Sequence, residues 1–142
     1  MSKPQIVVDT NVFIAALRSS RGASHLLLRL IDSGKFEINI SVPLVLEYED
    51  AGKRIAEEVG IRDDDIDDVV DYICKVANHH KVYYLWRPFL RDPKDDMVLE
   101  LAVSGGCEII VTYNVKDFDG VEEFGVQVMT AKEFLEYIGE LK

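Results

Sequence analysis

Acidic side chains and their amides recur at four separate places in this 142-residue chain. Asp9-Thr10-Asn11 follows one apolar run, and Glu47 lies well inside a later amphipathic stretch. Asp92-Pro93-Lys94-Asp95-Asp96 comes shortly after Trp86, and Thr112-Tyr113-Asn114 ends another apolar run, with Asp117 close behind. Two like charges about 4 Å apart repel by about 4 kcal/mol at an effective dielectric of about 20. Carboxylates gathered at that spacing either take up protons or bind a cation. Oxygen donors without histidine or cysteine favour a hard ion, Mg2+ or Mn2+, over zinc. Such an ion, held by few carboxylates, keeps positions open for water and phosphate oxygens. Its natural chemistry is metal-assisted phosphodiester hydrolysis.

Each group also has an ordinary explanation. Asp and Asn cap helices, and acids suit a helix N-terminus; Glu47, inside a helix, would then sit on a solvated face. What those explanations leave out is that four segments deliver polar groups to one edge of one sheet. Gln5 to Val8 is a short apolar run expected as a buried strand. Phe13 to Leu17 gives a first helix, broken around Ser19-Ser20-Arg21-Gly22, and a second covers about Ala23 to Asp32. Phe36 to Ile40 reads as a second strand. Ser41 caps a helix that Pro43 helps to start and that ends at Gly60. Ile66, Val69, Val70, Ile73, Val76 and Ala77 form a helical stripe opposite carboxylates. Lys81 to Leu85 is the expected third strand, broken by Trp86-Arg87-Pro88. A helix from about Lys94 to Ser104, a fourth strand from Glu108 to Thr112 and a fifth from Gly125 to Met129 follow. Thr130 and Glu133 have capping-box spacing and open a final helix expected to reach the C-terminus. Strands alternating with helices imply one domain over 1–142, a three-layer α/β/α sandwich with a mainly parallel sheet of about five strands. Ligands of such sheets bind beyond the carboxyl ends of the strands, where these acids fall.

Hydrophobic residues make up 48% and charged residues 30%, which fits a globular protein and no membrane association. No apolar run approaches the roughly 20 residues that span a bilayer. Cys74 and Cys107 are too few for a disulfide scaffold and lack metal-site spacing, so a reducing cytoplasmic setting is expected. The formal charge of −10 seems at odds with a nucleic-acid partner. Between Glu57 and Ile73, however, eight acids stand against Arg62 alone and account for −7, leaving −3 elsewhere. A local acidic face sets the total, so the charge does not exclude such a partner.

Ile6-Val7-Val8-Asp9-Thr10-Asn11-Val12-Phe13 resembles the opening of the PIN-domain family. Ser41 with Glu47-Tyr48-Glu49 resembles its second motif, and Asp92-Pro93-Lys94-Asp95-Asp96 with Leu99-Glu100-Leu101-Ala102 its third. Ile110-Val111-Thr112-Tyr113-Asn114-Val115-Lys116-Asp117-Phe118 resembles the fourth, so the likeness covers essentially the whole chain in order. The resemblance is to VapC-like toxins of type II toxin–antitoxin pairs. It implies a metal-dependent endoribonuclease acting on single-stranded RNA, a homodimer and a small antitoxin partner. It makes Asp9 and Asp96 metal ligands, Asp96 being preferred over Asp95 for its spacing to Thr112. Glu47 would bind a second ion or orient the attacking water. Asn114 stands where many relatives carry Asp, which weakens a second-metal site, although Asp117 lies near enough to contribute. Thr10, Asn11 and Thr112 would steady the carboxylates through hydrogen bonds.

Phosphate contacts outside the metal site fall to Arg18, Arg21, Arg91, Lys94 and Lys116. Tyr113, Trp86 and Phe89 are aromatic groups able to stack a base, with core packing as the other reading of Phe89. Two alternatives stay open: an RNA-processing nuclease outside any toxin pair, and a non-catalytic module that binds RNA or protein. A phosphoryl-transfer or receiver-type domain fits poorly. Asn11 stands where a dehalogenase-like enzyme needs a second Asp, and Lys132 is only a faint match to a receiver's lysine.

Overall fold

A computed structural model of the protein describes residues 3–82 and 89–141. Five strands form one sheet in the order β3-β2-β1-β4-β5, with every neighbouring pair parallel. They are β1 (Gln5–Val8), β2 (Glu37–Ile40), β3 (Asn78–His79), β4 (Ile109–Val111) and β5 (Gln127–Met129). Between them run α1 (Thr10–Arg18), α2 (Ala23–Arg29), α3 (Val42–Val59), α4 (Asp63–Val76) and α5 (Pro93–Ser104), and α6 (Ala131–Tyr137) follows β5. Consecutive residues of a strand point to opposite faces. Ile6, Val7 and Val8 are all buried, as are Ile38, Asn39 and Ile40 and Ile109, Ile110 and Val111, so both faces are covered. The fold is the three-layer α/β sandwich expected.

The chain moves outward from β1 through β2 to β3, then returns to the other side of β1 for β4. Right-handed crossovers place the return helix, α5, on the face opposite the helices of the outward path. α5 accordingly lies against β1, β2 and β4, while α1 packs on α2 and α3. The reversal makes the gap beyond the carboxyl ends of β1 and β4 the topological switch point of the sheet.

Most boundaries follow local chemistry. Ser41 Oγ accepts the Leu44 N–H at 3.4 Å, Pro43 sits in the first turn of α3, and Gly60 ends the helix in the left-handed region at φ 76°. Thr130 and Glu133 form the capping box of α6, although that helix stops at Tyr137 rather than running to the C-terminus. The third strand differs more. Ala77 is already extended after α4, so the chain enters the sheet at Asn78, pairing Asn39 with Asn78 and Ile40 with His79. The expected strand at 81–85 begins in coil at Lys81 and Val82, and its remainder, with Trp86, lies outside the described residues. Among the described residues no helix is long and apolar enough to cross a membrane.

Tyr48 is buried at 1% exposure; its hydroxyl donates to the Val8 carbonyl and its ring stacks on Phe13 at 4.9 Å. It thereby fixes α3 against the end of β1. The backbone of Gly52 stands one turn further on, where a Cβ would come within 2.9 Å of Ile66 Cγ2 and 3.4 Å of Phe13 Cε2. Gly52→Val is therefore expected to lower the free energy of unfolding by about 1–3 kcal/mol through overpacking. Urea denaturation checks this, and an unchanged midpoint would contradict the close α1–α3–α4 contact.

Candidate active site

Asp9 and Thr112 are the first residues beyond β1 and β4. The β1–β4 ladder pairs Val8 with Val111 and continues in the Asp9 N–H to Val111 carbonyl bond at 2.9 Å. That register sets the two side chains side by side, and Thr112 Oγ1 donates to Asp9 Oδ2 at 2.9 Å. The same hydroxyl oxygen accepts Asn11 Nδ2 at 3.1 Å and the Asn114 N–H at 3.0 Å. Asn11 Nδ2 also reaches Asp9 Oδ2 at 3.4 Å, and Asn11 Oδ1 accepts the Tyr113 N–H at 3.1 Å. Thr10 contributes its backbone N–H rather than its hydroxyl, 2.8 Å from Asp9 Oδ1. Tyr113, half exposed, hydrogen-bonds Ser24 of α2 at 2.5 Å.

Two clefts open around this centre. The first, about 500 Å³, is lined by Asp9, Thr10, Asn11, Arg18, Glu47, Asp92, Lys94, Asp95 and Asn114 over Ile14, Ala15 and Met97. The second, about 560 Å³, is lined by Phe89, Leu90, Arg91, Lys116, Asp117 and Asp119 and shares Asp92 and Asp95 with the first. Asp92 caps α5 through its 2.9 Å bond from the Lys94 N–H. Glu47 faces Lys94 Nζ at 3.4 Å and Arg54 at 3.8 Å. Arg21 lines neither cleft. Asp96, expected as the third acid, turns away: its Oδ1 accepts the N–H groups of Phe89 at 3.2 Å and Leu90 at 2.9 Å. Asp95 takes the place in the clefts. Neighbouring helical residues differ by about 100° in direction, so only one of the two acids can face the centre.

A family model of the PIN domain matches residues 5–116. The chain belongs to the PIN-domain family. PIN domains are generally nucleases, and those nucleases typically use divalent metals. Comparison with curated proteins gives no match. Among solved structures, a chain from the crystal structure of VapBC2 from Rickettsia felis, bound to a DNA fragment from their promoter, is similar in fold. Its TM-score is 0.63 at 14% sequence identity, covering 89% of this chain and 98% of that one.

The electrostatics of this PIN domain oppose an unaided carboxylate cluster. Burial pushes the Asp9 carboxyl up, against the pull of its bonds from Thr112 and Thr10, and Asp117 and Glu47 add repulsion. Asp95 is pushed up to about 6, first by burial and then by Asp9, Asp92, Asp117 and Asp96. Among the described residues no three Asp, Glu, His or Cys side chains stand grouped so as to hold an ion by themselves. The donor chemistry is oxygen-only, which suits Mg2+, an ion that usually rests on one or two carboxylates and keeps several waters. Asp9 and Asp95 fit that requirement, with Glu47 and Asp117 flanking them.

Sequence reasoning set Asp95 second to Asp96 and gave no role to Asp92 or the apolar floor. The phase of α5 was hard to read because Val98, Leu99, Glu100, Leu101 and Ala102 are all buried, leaving no single apolar stripe. Asp95 also generates a test. A carboxyl held above its unfolded value makes the folded state the stronger proton binder between the two values. Stability therefore falls as pH rises from about 4 to about 6, and the loss is complete above that. The full displacement corresponds to about 3 kcal/mol, but Asp95 is partly open to solvent and screening leaves about 1 kcal/mol. Asp95→Asn should melt later than the native chain at pH about 8 in EDTA, with the gap closing near pH 4. A lower melting temperature for the variant at the higher pH would refute the cost of the buried, repelled Asp95 charge.

Proposed function

We propose that the protein is a Mg2+- or Mn2+-dependent endoribonuclease for single-stranded RNA. The reading rests on one observation: a buried Asp9 at the switch point of the sheet lines one open cleft with Glu47 and Asp95, and Asp117 lines the adjoining cleft that shares Asp95. Carboxylates that repel one another across an open cleft are suited to a cation and, through it, to phosphate. When bound, the ion supplies charge neutralisation at the pentavalent phosphate and acidifies the attacking water. Asp9 and Asp95 would hold it.

The other roles belong to the chain's own groups. Thr112, Asn11 and the Thr10 N–H keep the Asp9 carboxylate in one orientation, which spares reorganisation when charge develops. Glu47, on the wall of the first cleft, would accept a hydrogen bond from the attacking water and orient it. Lys94, beside Glu47, and Arg18, on α1, offer positive charge to phosphate oxygens of the strand; Arg18 must first share its bond to Glu58 at 3.0 Å. Asn114 supplies an amide on the rim, and Asp117 adds negative charge from the second cleft.

We further propose that it works in the cytoplasm as the toxin of a type II toxin–antitoxin pair, as a homodimer inhibited by a small partner protein. Support comes from the fold shared with the Rickettsia felis chain, which was solved as part of a VapBC2 assembly.

The experiment is cleavage of a mixed-sequence single-stranded RNA with Mg2+, with Mn2+ and with EDTA. Asp9→Asn and Asp95→Asn should each lower turnover by more than the roughly 10- to 100-fold that loss of a merely supporting group costs. Asp96→Asn keeps an oxygen for the Phe89 and Leu90 N–H groups and should stay within a few-fold of the native chain. Loss of cutting in Asp96→Asn with retention in Asp95→Asn would reverse the assignment. RNA left whole under both metals by partner-free protein, together with no Mn2+ binding, would end the enzyme reading.

A further inference from the structure

The two clefts differ in how their cations are committed. In the first, Lys94 lies against Glu47 and Arg18 against Glu58. In the second, neither Arg91 nor Lys116 has an ion-pair partner among the described residues. Beside them, Phe89 meets Phe124 edge to face, with centroids 5.0 Å apart and planes at 81°. Both rings stay outside the core, 40% and 37% exposed.

The backbone that carries the Phe89 ring is anchored. Its N–H bonds to Asp96 Oδ1 at 3.2 Å, and the next residue's does so at 2.9 Å. From the other side Gly120, at φ 92°, lets the chain pass close beneath: a Cβ there would come within 3.2 Å of Phe89 Cζ. An exposed aromatic on an anchored backbone, next to two uncommitted cations, is the combination that takes up a nucleotide, its base on the ring and its phosphate on the bases. Asp92, Asp95, Asp117 and Asp119 outnumber the two cations in this cleft. Arg91 and Lys116 are therefore the groups in this cleft able to receive a phosphate, and Asp92 and Asp95, shared with the first cleft, join it to the acidic centre.

We propose that the second cleft is a nucleotide subsite. Phe89, backed by Phe124, stacks the base of an RNA nucleotide beside the scissile phosphate, and Arg91 and Lys116 receive that nucleotide's outer phosphate. The identity of the ligand as RNA rests on the nuclease reading above. Asp96 then acts as a positioning residue, through the loop it anchors.

The test uses the full chain carrying Asp9→Asn, so that cutting is suppressed on the nuclease reading, and a fluorescent short oligoribonucleotide followed by anisotropy with Mg2+ present. Adding Phe89→Ala should weaken binding about five-fold or more, the range for loss of one base–aromatic stack. A series of oligonucleotides with one abasic position moved along the strand should lose the same factor at one position only. That loss should vanish in Phe89→Ala. Arg91→Gln with Lys116→Gln should flatten the salt dependence of binding. The abasic series needs no change near Phe89, so a folding defect in the alanine variant cannot imitate it. Undetectable binding, or equal affinity for every abasic oligonucleotide, overturns the subsite. With Asp9 intact, cleavage unaffected by Phe89→Ala and by Arg91→Gln with Lys116→Gln would sink the subsite and leave the nuclease standing. Position-specific stacking without any cleavage would do the reverse.

Discussion

β1 and β4 are hydrogen-bonded neighbours, and their ladder runs one residue past the strands, where Thr112 meets Asp9 across 103 residues of sequence. A carboxylate at 8% exposure needs donors, because an unpaired buried charge costs several kcal/mol. Thr112, Asn11 and the Thr10 N–H are those donors, and all three come from segments that the β1–β4 register brings together. A slip of one residue in that register would turn one of the two side chains to the opposite face of the sheet from the other. The reversal of strand order at β1 and β4 thus does two jobs. It opens the crevice, and it makes the acid at its base tolerable.

The surrounding elements answer to the same centre. α3 is fixed to the end of β1 by the Tyr48 hydroxyl on the Val8 carbonyl and by the ring stack on Phe13, which brings Glu47 to the cleft wall. α5 starts at the opposite wall, with Asp92 as cap and Pro93 in the first turn, and its N-terminal dipole favours the acids Asp95 and Asp96 there. The dipole does not cancel the cost of burying the Asp95 carboxylate, to which repulsion from Asp9 and the neighbouring acids adds. The site is therefore built under tension that a cation would relieve.

Much of this was legible in the chain itself. The apolar runs of β1 and β4, the Ser41 cap, the Gly60 stop and the Thr130–Glu133 box are local signals, and local signals set boundaries well. Asp9, Thr112 and Glu47 could be placed near one another because strand ends gather in a parallel sheet. Three things escaped. The choice between Asp95 and Asp96 depends on the rotation of a helix buried almost all round. β3 is two polar residues whose pairing depends on Asn39 and on where α4 ends, neither of which shows as periodicity. The capture of the Phe89 and Leu90 N–H groups by Asp96 is a contact between a loop and a helix turn, and nothing in residue type announces it.

The brevity of β3 has a bearing on how the molecule behaves in company. A parallel sheet whose inner strands are Ile-Val-Val and Ile-Ile-Val would, if its edge were long and apolar, offer a template on which other chains could polymerise. Here one of the two edges is Asn78 and His79, both exposed, with Asn78 Nδ2 donating to Gln5 and Glu37 and His79 Nε2 to the Cys74 carbonyl. Side chains committed inward leave a ladder only two residues long for an incoming strand to grip. The same polar stub that hides the third strand from sequence inspection blunts this edge of the sheet against edge-to-edge pairing.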